Sequence, residues 1–365
     1  MAFDQDATGP ATGSTWRPHA EAAMQRHHIA RKRREIVRGL TAIGLAGCLG
    51  VYPRQGQAEE PPETNRIRLI RDRDFPVICY APQYIADEFL LQEGFTDIEY
   101  VSKGVDGSEA QTLVRDEADM SAALGVDWVF PIASGQPVVV LSGLHAGCVE
   151  VFANEGVRSI RDLKGKRLAV HGLGSPERYL LASVAAYIGL DPSRDIEWVL
   201  ANPLEWGQML VDGKVDAIAG FPPMNYELHA QQVGHVILNT ITDDPWRHYF
   251  CCMLAVRRQY LDSYPIATKR ALRALLKANE MCTRQPELAA SWLVKHGQAP
   301  SYEVALQTMQ DIPYIAWRNY DPVDSLRFYA LRLREAGLID QVPDAILARG
   351  ADWRMFNELK KELKA

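Results

Sequence analysis

Lys166-Arg167-Leu168-Ala169-Val170-His171-Gly172-Leu173-Gly174-Ser175-Pro176-Glu177 is the stretch on which the fold turns. Leu168 to Val170 is a short apolar run and reads as a strand. Gly172 and Gly174 free the backbone, while Ser175 and Pro176 suit the cap and first position of a helix. A helix is predicted over 176–188, stopped at Gly189. Onward, 196–200 reads as a strand, 204–212 as a helix and 213–220 as a turn into another strand. Before this stretch the same order occurs: strand 66–70, helix 82–92 ending at Gly94, strand 97–101, helix 108–117 and strand 118–125. Leu69 and Leu168, Tyr100 and Trp198, Asp119 and Asp216 lie 99, 98 and 97 residues apart. Strands alternating with helices predict parallel sheets covered by helices on both faces. Two α/β lobes are the natural reading, one large doubly wound sheet the alternative.

Past residue 250 the pattern changes. Met253-Leu254-Ala255-Val256 is expected to return as a strand to the first lobe. Apolar residues at helical spacing then predict helices over 267–282, 286–296, 302–310, 322–336 and 353–363. The division expected is lobe 1 over 66–148, lobe 2 over 149–249, and the return with C-terminal helices over 250–365.

The chain has 365 residues, 47% hydrophobic and 24% charged, the balance of a globular protein. Its net charge of −6 gives no electrostatic support for nucleic-acid binding. Six cysteines without C-x-x-C exclude a disulfide scaffold. The charge is uneven. Residues 1–58 carry eight Lys/Arg against four Asp/Glu, the remainder 32 against 42. Arg31-Lys32-Arg33-Arg34 precedes a mild apolar run from Leu40 to Val51, too short to span a bilayer comfortably. A basic region, an apolar run and a small-residue exit read as an export signal over 1–58, with Met24 as an alternative start. Arg33-Arg34 resembles the twin-arginine type, which exports folded proteins. Gly56-Gln57-Ala58 fits cleavage before Glu59. Leu45-Ala46-Gly47-Cys48 resembles a lipobox that would lipidate Cys48.

In open α/β sheets a ligand sits beyond the carboxyl ends of the strands, so two facing lobes place it between them. The loops at those ends and at the interlobe crossings supply the candidate binding residues Phe75, Tyr80, Asp127, Trp128, Gly174, Ser175, Phe221, Phe250 and Cys251. Gly174 permits close backbone approach. Ser175 is expected to cap the helix, whose free N–H groups would hold an anionic or polar group. Glu177 opposes an anion if it faces inward. The aromatic candidates, with Tyr249, suit a planar or cationic solute. Asp127 and Glu150 suit an amine. No catalytic residue, cofactor or metal is expected: G-x-S-x-G, H-E-x-x-H and the P-loop are absent, and His229 and His235 are poorly spaced as metal ligands.

The ordered series Ser159-Ile160-Arg161-Asp162-Leu163-Lys164-Gly165-Lys166, Gly174-Ser175, Gly189-Leu190-Asp191, Gly213-Lys214-Val215-Asp216-Ala217 and Phe221-Pro222-Pro223, with Tyr264-Pro265 leading into a long helix, resembles the periplasmic solute-binding proteins of nitrate/sulfonate/taurine-type ABC importers. The wider group includes thiamine-pyrimidine synthases. The resemblance covers roughly residues 66–340 and implies a two-lobed type II binding-protein fold, a Venus flytrap with hinge strands. It also implies a small-molecule ligand (sulfonate, taurine, nitrate or a pyrimidine-like heteroaromatic), ABC permease and ATPase partners, a periplasmic location and a monomer. In the pyrimidine synthases a Cys-rich motif occupies the place of Cys251-Cys252. Only two cysteines stand there here, so that motif is not intact. An enzyme of that kind, or a ligand-sensing lipoprotein, are the alternatives to transport.

Overall fold

A computed structural model describes residues 59–72, 76–103 and 108–363. The expected export signal, Cys48 and Phe75 lie outside the described residues. Ten strands form two five-stranded sheets. The first contains β1 (Arg66–Ile70), β2 (Asp97–Val101), β3 (Met120–Leu124), β4 (Val138–Ala146) and β10 (Phe250–Arg257), in the order β2-β1-β3-β10-β4. The second contains β5 (Glu150–Ala153), β6 (Lys166–Val170), β7 (Ile196–Leu200), β8 (Ala217–Gly220) and β9 (His235–Asn239), in the order β7-β6-β8-β5-β9. The two orders correspond position by position; the sequence offsets anticipate this for β1/β6, β2/β7 and β3/β8.

The sheets are mixed, which corrects the expectation of parallel ones. β10 runs antiparallel between β3 and β4, and β5 runs antiparallel between β8 and β9. The cause is connectivity. Each inserted strand adjoins a crossing between the sheets, and so enters its sheet from the end opposite to its neighbours. The interior strand β3 and nearly all of β10 are buried throughout; β4, though at the sheet's edge, is buried as well because C-terminal helices pack on it, whereas the edge strands β2 and β7 alternate or stay half-exposed.

The crossings lie side by side. Thr240 Oγ1 accepts from the Cys148 and Val149 amides at 3.1 and 2.9 Å. Gly147 sits between them at φ +53°, and a Cβ there would lie 2.6 Å from Ile241 Cα. Only glycine fits that close approach.

The C-terminal region is helical. Pro265–Arg284 is its longest helix; Glu63 accepts from the Ile266 and Ala267 amides at 2.9 and 2.8 Å, and Asn279 Nδ2 donates to the Leu144 carbonyl at 2.7 Å, anchoring the helix to β4. Helices Pro286–Lys295, Tyr302–Asp311, Pro322–Glu335 and Arg354–Glu362 follow the predicted spacing. A further helix, Pro343–Gly350, was hidden by its short apolar face. Pro322–Glu335 also packs against Pro176–Tyr187, so the helical region touches both sheets' layers. Among the described residues no helix is long and apolar enough to cross a membrane.

Candidate functional site

A cavity of about 700 Å³ lies between the two sheets' loops. From the first sheet it receives Val77, Cys79 and Tyr80 after β1, Ser102 and Lys103 after β2, Leu124 at the end of β3, and Ser108, Glu109 and Gln111 at the start of helix Glu109–Val114. From the second it receives His171 to Glu177 after β6, Leu200 to Leu204 after β7, and Phe221 after β8. Every group follows the carboxyl end of a parallel strand, where the topology places ligands.

Four of the nine candidate residues, Tyr80, Gly174, Ser175 and Phe221, line this cavity. Four others lie elsewhere. Trp128 is fully buried and donates Nε1–H to the Met253 carbonyl at 3.1 Å, so it is core. Phe250 fills the space left by Gly143, where a Cβ would meet its ring at 2.3 Å. Asp127 is buried beneath helix Glu109–Val114, with the Ala110 amide at 3.4 Å. Burial, with Glu109 nearby, pushes its pKa well above the usual carboxylate value. Cys251 is turned into a cluster of thiols behind the cavity. Tyr249 stacks on Phe328 with ring centroids 4.1 Å apart. Glu150 accepts from Asn225, His229 and Asn239 at 3.2, 2.8 and 2.9 Å, which makes it a clasp within the second lobe.

The loop after β6 differs from its expected chemistry. Ser175 has extended backbone, as an N-cap should, but its hydroxyl caps no helix amide. It donates to the Gly172 carbonyl at 2.8 Å and contacts Glu177, whose Oε1 also accepts from the His171 amide at 2.7 Å. The Glu177 carboxylate is thus seated inward, held at the cavity wall by the His171 amide and the Ser175 hydroxyl. Gly174 does not need a left-handed backbone, and a Cβ there would stand 3.5 Å from Gln111 Nε2 of the facing lobe.

Sequence reasoning missed Lys103 and Glu109. They form a 2.8 Å ion pair with side chains only 16% and 4% exposed. Burial works against the Lys103 ammonium, but Glu109, backed by Asp72 and Glu177, holds its pKa above the usual lysine value. Applying the strand-end rule to β2 and β7, as well as to β1, β3, β6 and β8, would have found Lys103 and the Leu200–Leu204 wall. The described lining therefore brings three carboxylates (Asp72, Glu109, Glu177) to one lysine, with Tyr80 and Phe221 supplying aromatic surface, while Trp206 behind them is core.

The lobes already touch across this cleft. The Ile78 amide donates to the Pro222 carbonyl at 3.1 Å, Phe130 stacks on Tyr179 at 5.4 Å, and Tyr226 Oη donates to Asp311 at 3.0 Å.

Two mixed sheets of matching order, two crossings and a cavity between them define the type II periplasmic binding-protein fold. The chain belongs to the NMT1-like family, whose profile matches residues 76–293. Among solved structures it is similar to the periplasmic nitrate-binding protein of Synechocystis (TM-score 0.70, 16% identity, covering 84% of this chain and 90% of that one). It is also similar to the alkanesulfonate-binding protein of Xanthomonas axonopodis bound to MOPS (TM-score 0.63, 18% identity, 78% and 98% covered). Among curated sequences it is 24% identical over 234 residues to a nitrate import ATP-binding protein of Synechocystis, covering 57% of this chain and 34% of that one. The chain thus spans about a third of the length of that relative.

Proposed function

We propose that this protein is the extracytoplasmic substrate-binding subunit of an ABC importer, capturing a small organic solute and presenting it to a permease driven by an ATPase subunit. The observation that carries the reading is the cavity lined from both lobes beside paired crossings, the arrangement that lets a hinge close on a solute. Export through residues 1–58 by the twin-arginine route fits this role, with release after Ala58 favoured over lipidation of Cys48. So does action as a monomer.

Relatives' names refer to nitrate and alkanesulfonates. The described lining of this chain favours a different chemistry, because three carboxylates outnumber one lysine and Glu177 occupies the helix start. A planar heteroaromatic solute bearing an amine or ring N–H donor matches the carboxylates and the aromatic walls. Binding rather than turnover is the reading.

Native mass spectrometry against a metabolite library, followed by titration calorimetry, tests it. The expected result is one heteroaromatic amine bound per chain and recovered unchanged. Binding of nitrate or a simple sulfonate, with none of an amine, sinks the ligand class. Chemical conversion of the bound solute sinks the binding-only reading.

A further inference from the structure

Cys79, His145, Cys148 and Cys252 come from four separate segments: the turn after β1, the end of β4, the first crossing and β10. All four are buried, at 1%, 0%, 1% and 0% exposure, and their side-chain donor atoms lie within 4.8 Å of one another. The Cys148 and Cys252 sulfurs are 3.9 Å apart. A tetrahedral zinc with Zn–S bonds of about 2.3 Å requires S···S edges of roughly 3.8 Å.

The histidine carries a second, independent observation. His145 Nδ1 faces the Ala146 carbonyl at 3.4 Å, which directs its proton there, and Nε2 is buried without a hydrogen-bond partner. A buried ring nitrogen left with a lone pair is costly unless something accepts it. Thiols and a metal ion are the groups at hand, and a backbone-held Nδ1–H is the outer-shell bond of a metal-binding histidine. The ring is held edge-on by Tyr314 at 5.4 Å, and the Tyr314 hydroxyl donates to the Cys79 carbonyl at 3.2 Å, so one side chain braces two members of the set.

The strand is also irregular where the set needs it. Cys252 pairs with His145 across β10 and β4, and the register shifts on both sides of Cys252. In a regular strand Cys251 and Cys252 would point to opposite faces. Here both sulfurs approach Cys148, at 3.2 and 3.9 Å. Bulges re-aim side chains in this way.

We propose that Cys79, Cys148, Cys252 and His145 bind one thiophilic divalent cation, of the zinc class, as a closed Cys3His site. Three thiols release their protons to solvent as three sulfur–metal bonds form, the His145 Nε2 lone pair makes the fourth, and no electron is transferred. Cys79 and Cys148 also border the solute cavity, so the ion lies at its floor. It pins the turn after β1, the first crossing and the returning strand together. The proposal does not depend on the solute reading, since metal occupancy is measured without any solute.

The test uses the full chain, purified without reductant, stripped with a chelator and titrated with zinc alone. One zinc per chain by elemental mass spectrometry, and cobalt substitution giving thiolate-to-cobalt charge-transfer bands with tetrahedral visible bands, are expected. Cys79→Ser, Cys252→Ser and His145→Ala should each lower zinc affinity by about a hundredfold or more, while Cys282→Ala and Cys251→Ala retain one ion. Circular dichroism and thermal melts identify variants that fail to fold. A folded triple variant, Cys79→Ser/Cys148→Ser/Cys252→Ser, that still takes one zinc overturns the site. So does a Cys148–Cys251 disulfide found in the native protein. Loss of zinc in Cys251→Ala but not in Cys252→Ser overturns the assignment of Cys252.

Discussion

Asp216, just before β8, is clasped by Arg167 at the start of β6. Its carboxylate accepts from the Arg167 amide, Nε and Nη2 at 2.8, 3.1 and 2.9 Å, and its own amide donates to the Arg167 carbonyl at 2.7 Å. The same clasp joins Arg68 and Asp119 in the other sheet, at 2.8, 3.2 and 2.7 Å, with the return bond at 2.9 Å. In each lobe it locks the register at the amino end of the two strands whose carboxyl ends bear the site.

The first prediction follows from that clasp. The Arg167 guanidinium holds the Asp216 carboxyl at about 2, below an unfolded value near 3.9. Its contribution is therefore full above about pH 4 and is lost as pH falls toward 2. Because Arg167 is partly exposed, roughly 1–2 kcal/mol is expected. Asp216→Asn should cost that much in urea unfolding at pH 7 and much less at pH 2.5. An equal cost at both pH values contradicts the ionic origin of the clasp.

The Asp119/Asp216 correspondence is visible in the sequence, and with it the paired sheets and the loops after β1, β6 and β8. Strand periodicity and Gly-Ser-Pro helix starts are local signals, so they survive without a structure. The antiparallel insertions of β5 and β10 are not legible, because their partners lie far along the chain. Trp128 and Phe250 resembled cleft aromatics since a loop position alone does not reveal which way a ring turns. Cys79, His145, Cys148 and Cys252 carry no metal-ligand spacing. Only the crossing of the sheets brings them together.

The buried Lys103–Glu109 pair gives a second prediction. Removing one member leaves the other charge buried beside the cavity, which costs about 3 kcal/mol. Glu109→Gln should lower stability by that order, and Lys103→Met/Glu109→Gln should recover part of the loss. Both should weaken binding of an amine-bearing solute by calorimetry. A double variant no more stable than the single one contradicts the pair's mutual dependence.

At the loop after β6, Gly174→Ala should leave stability within about 0.5 kcal/mol, since its Cβ meets only ordinary contacts. Gly174→Val places two further methyls toward Gln111 and should weaken solute binding with little change in melting. Ser175→Ala should cost about 1 kcal/mol through loss of the one hydroxyl proton that the Gly172 carbonyl and Glu177 compete to accept. Normal affinity in all three variants moves the second lobe's share of the site away from this loop.

The last prediction concerns closure. Tyr226 lies on the second lobe's helix Met224–Ala230 and Asp311 ends helix Tyr302–Asp311 of the C-terminal region, so their 3.0 Å bond spans the cleft. Together with the Ile78–Pro222 backbone bond, it belongs to the touching state of the lobes. A bond made only when the lobes touch shifts the hinge equilibrium by its own net worth, about 0.5–1.5 kcal/mol. Tyr226→Phe keeps the ring and removes that bond. Solute affinity should fall about two- to tenfold, and small-angle scattering of the solute-free variant should give a larger radius of gyration than the parent. Saturating solute should return both to the same compact value, because the solute supplies the missing closure energy. Identical radii without solute, together with unchanged affinity, would show that the bond forms equally in open and closed states and does not bias the hinge.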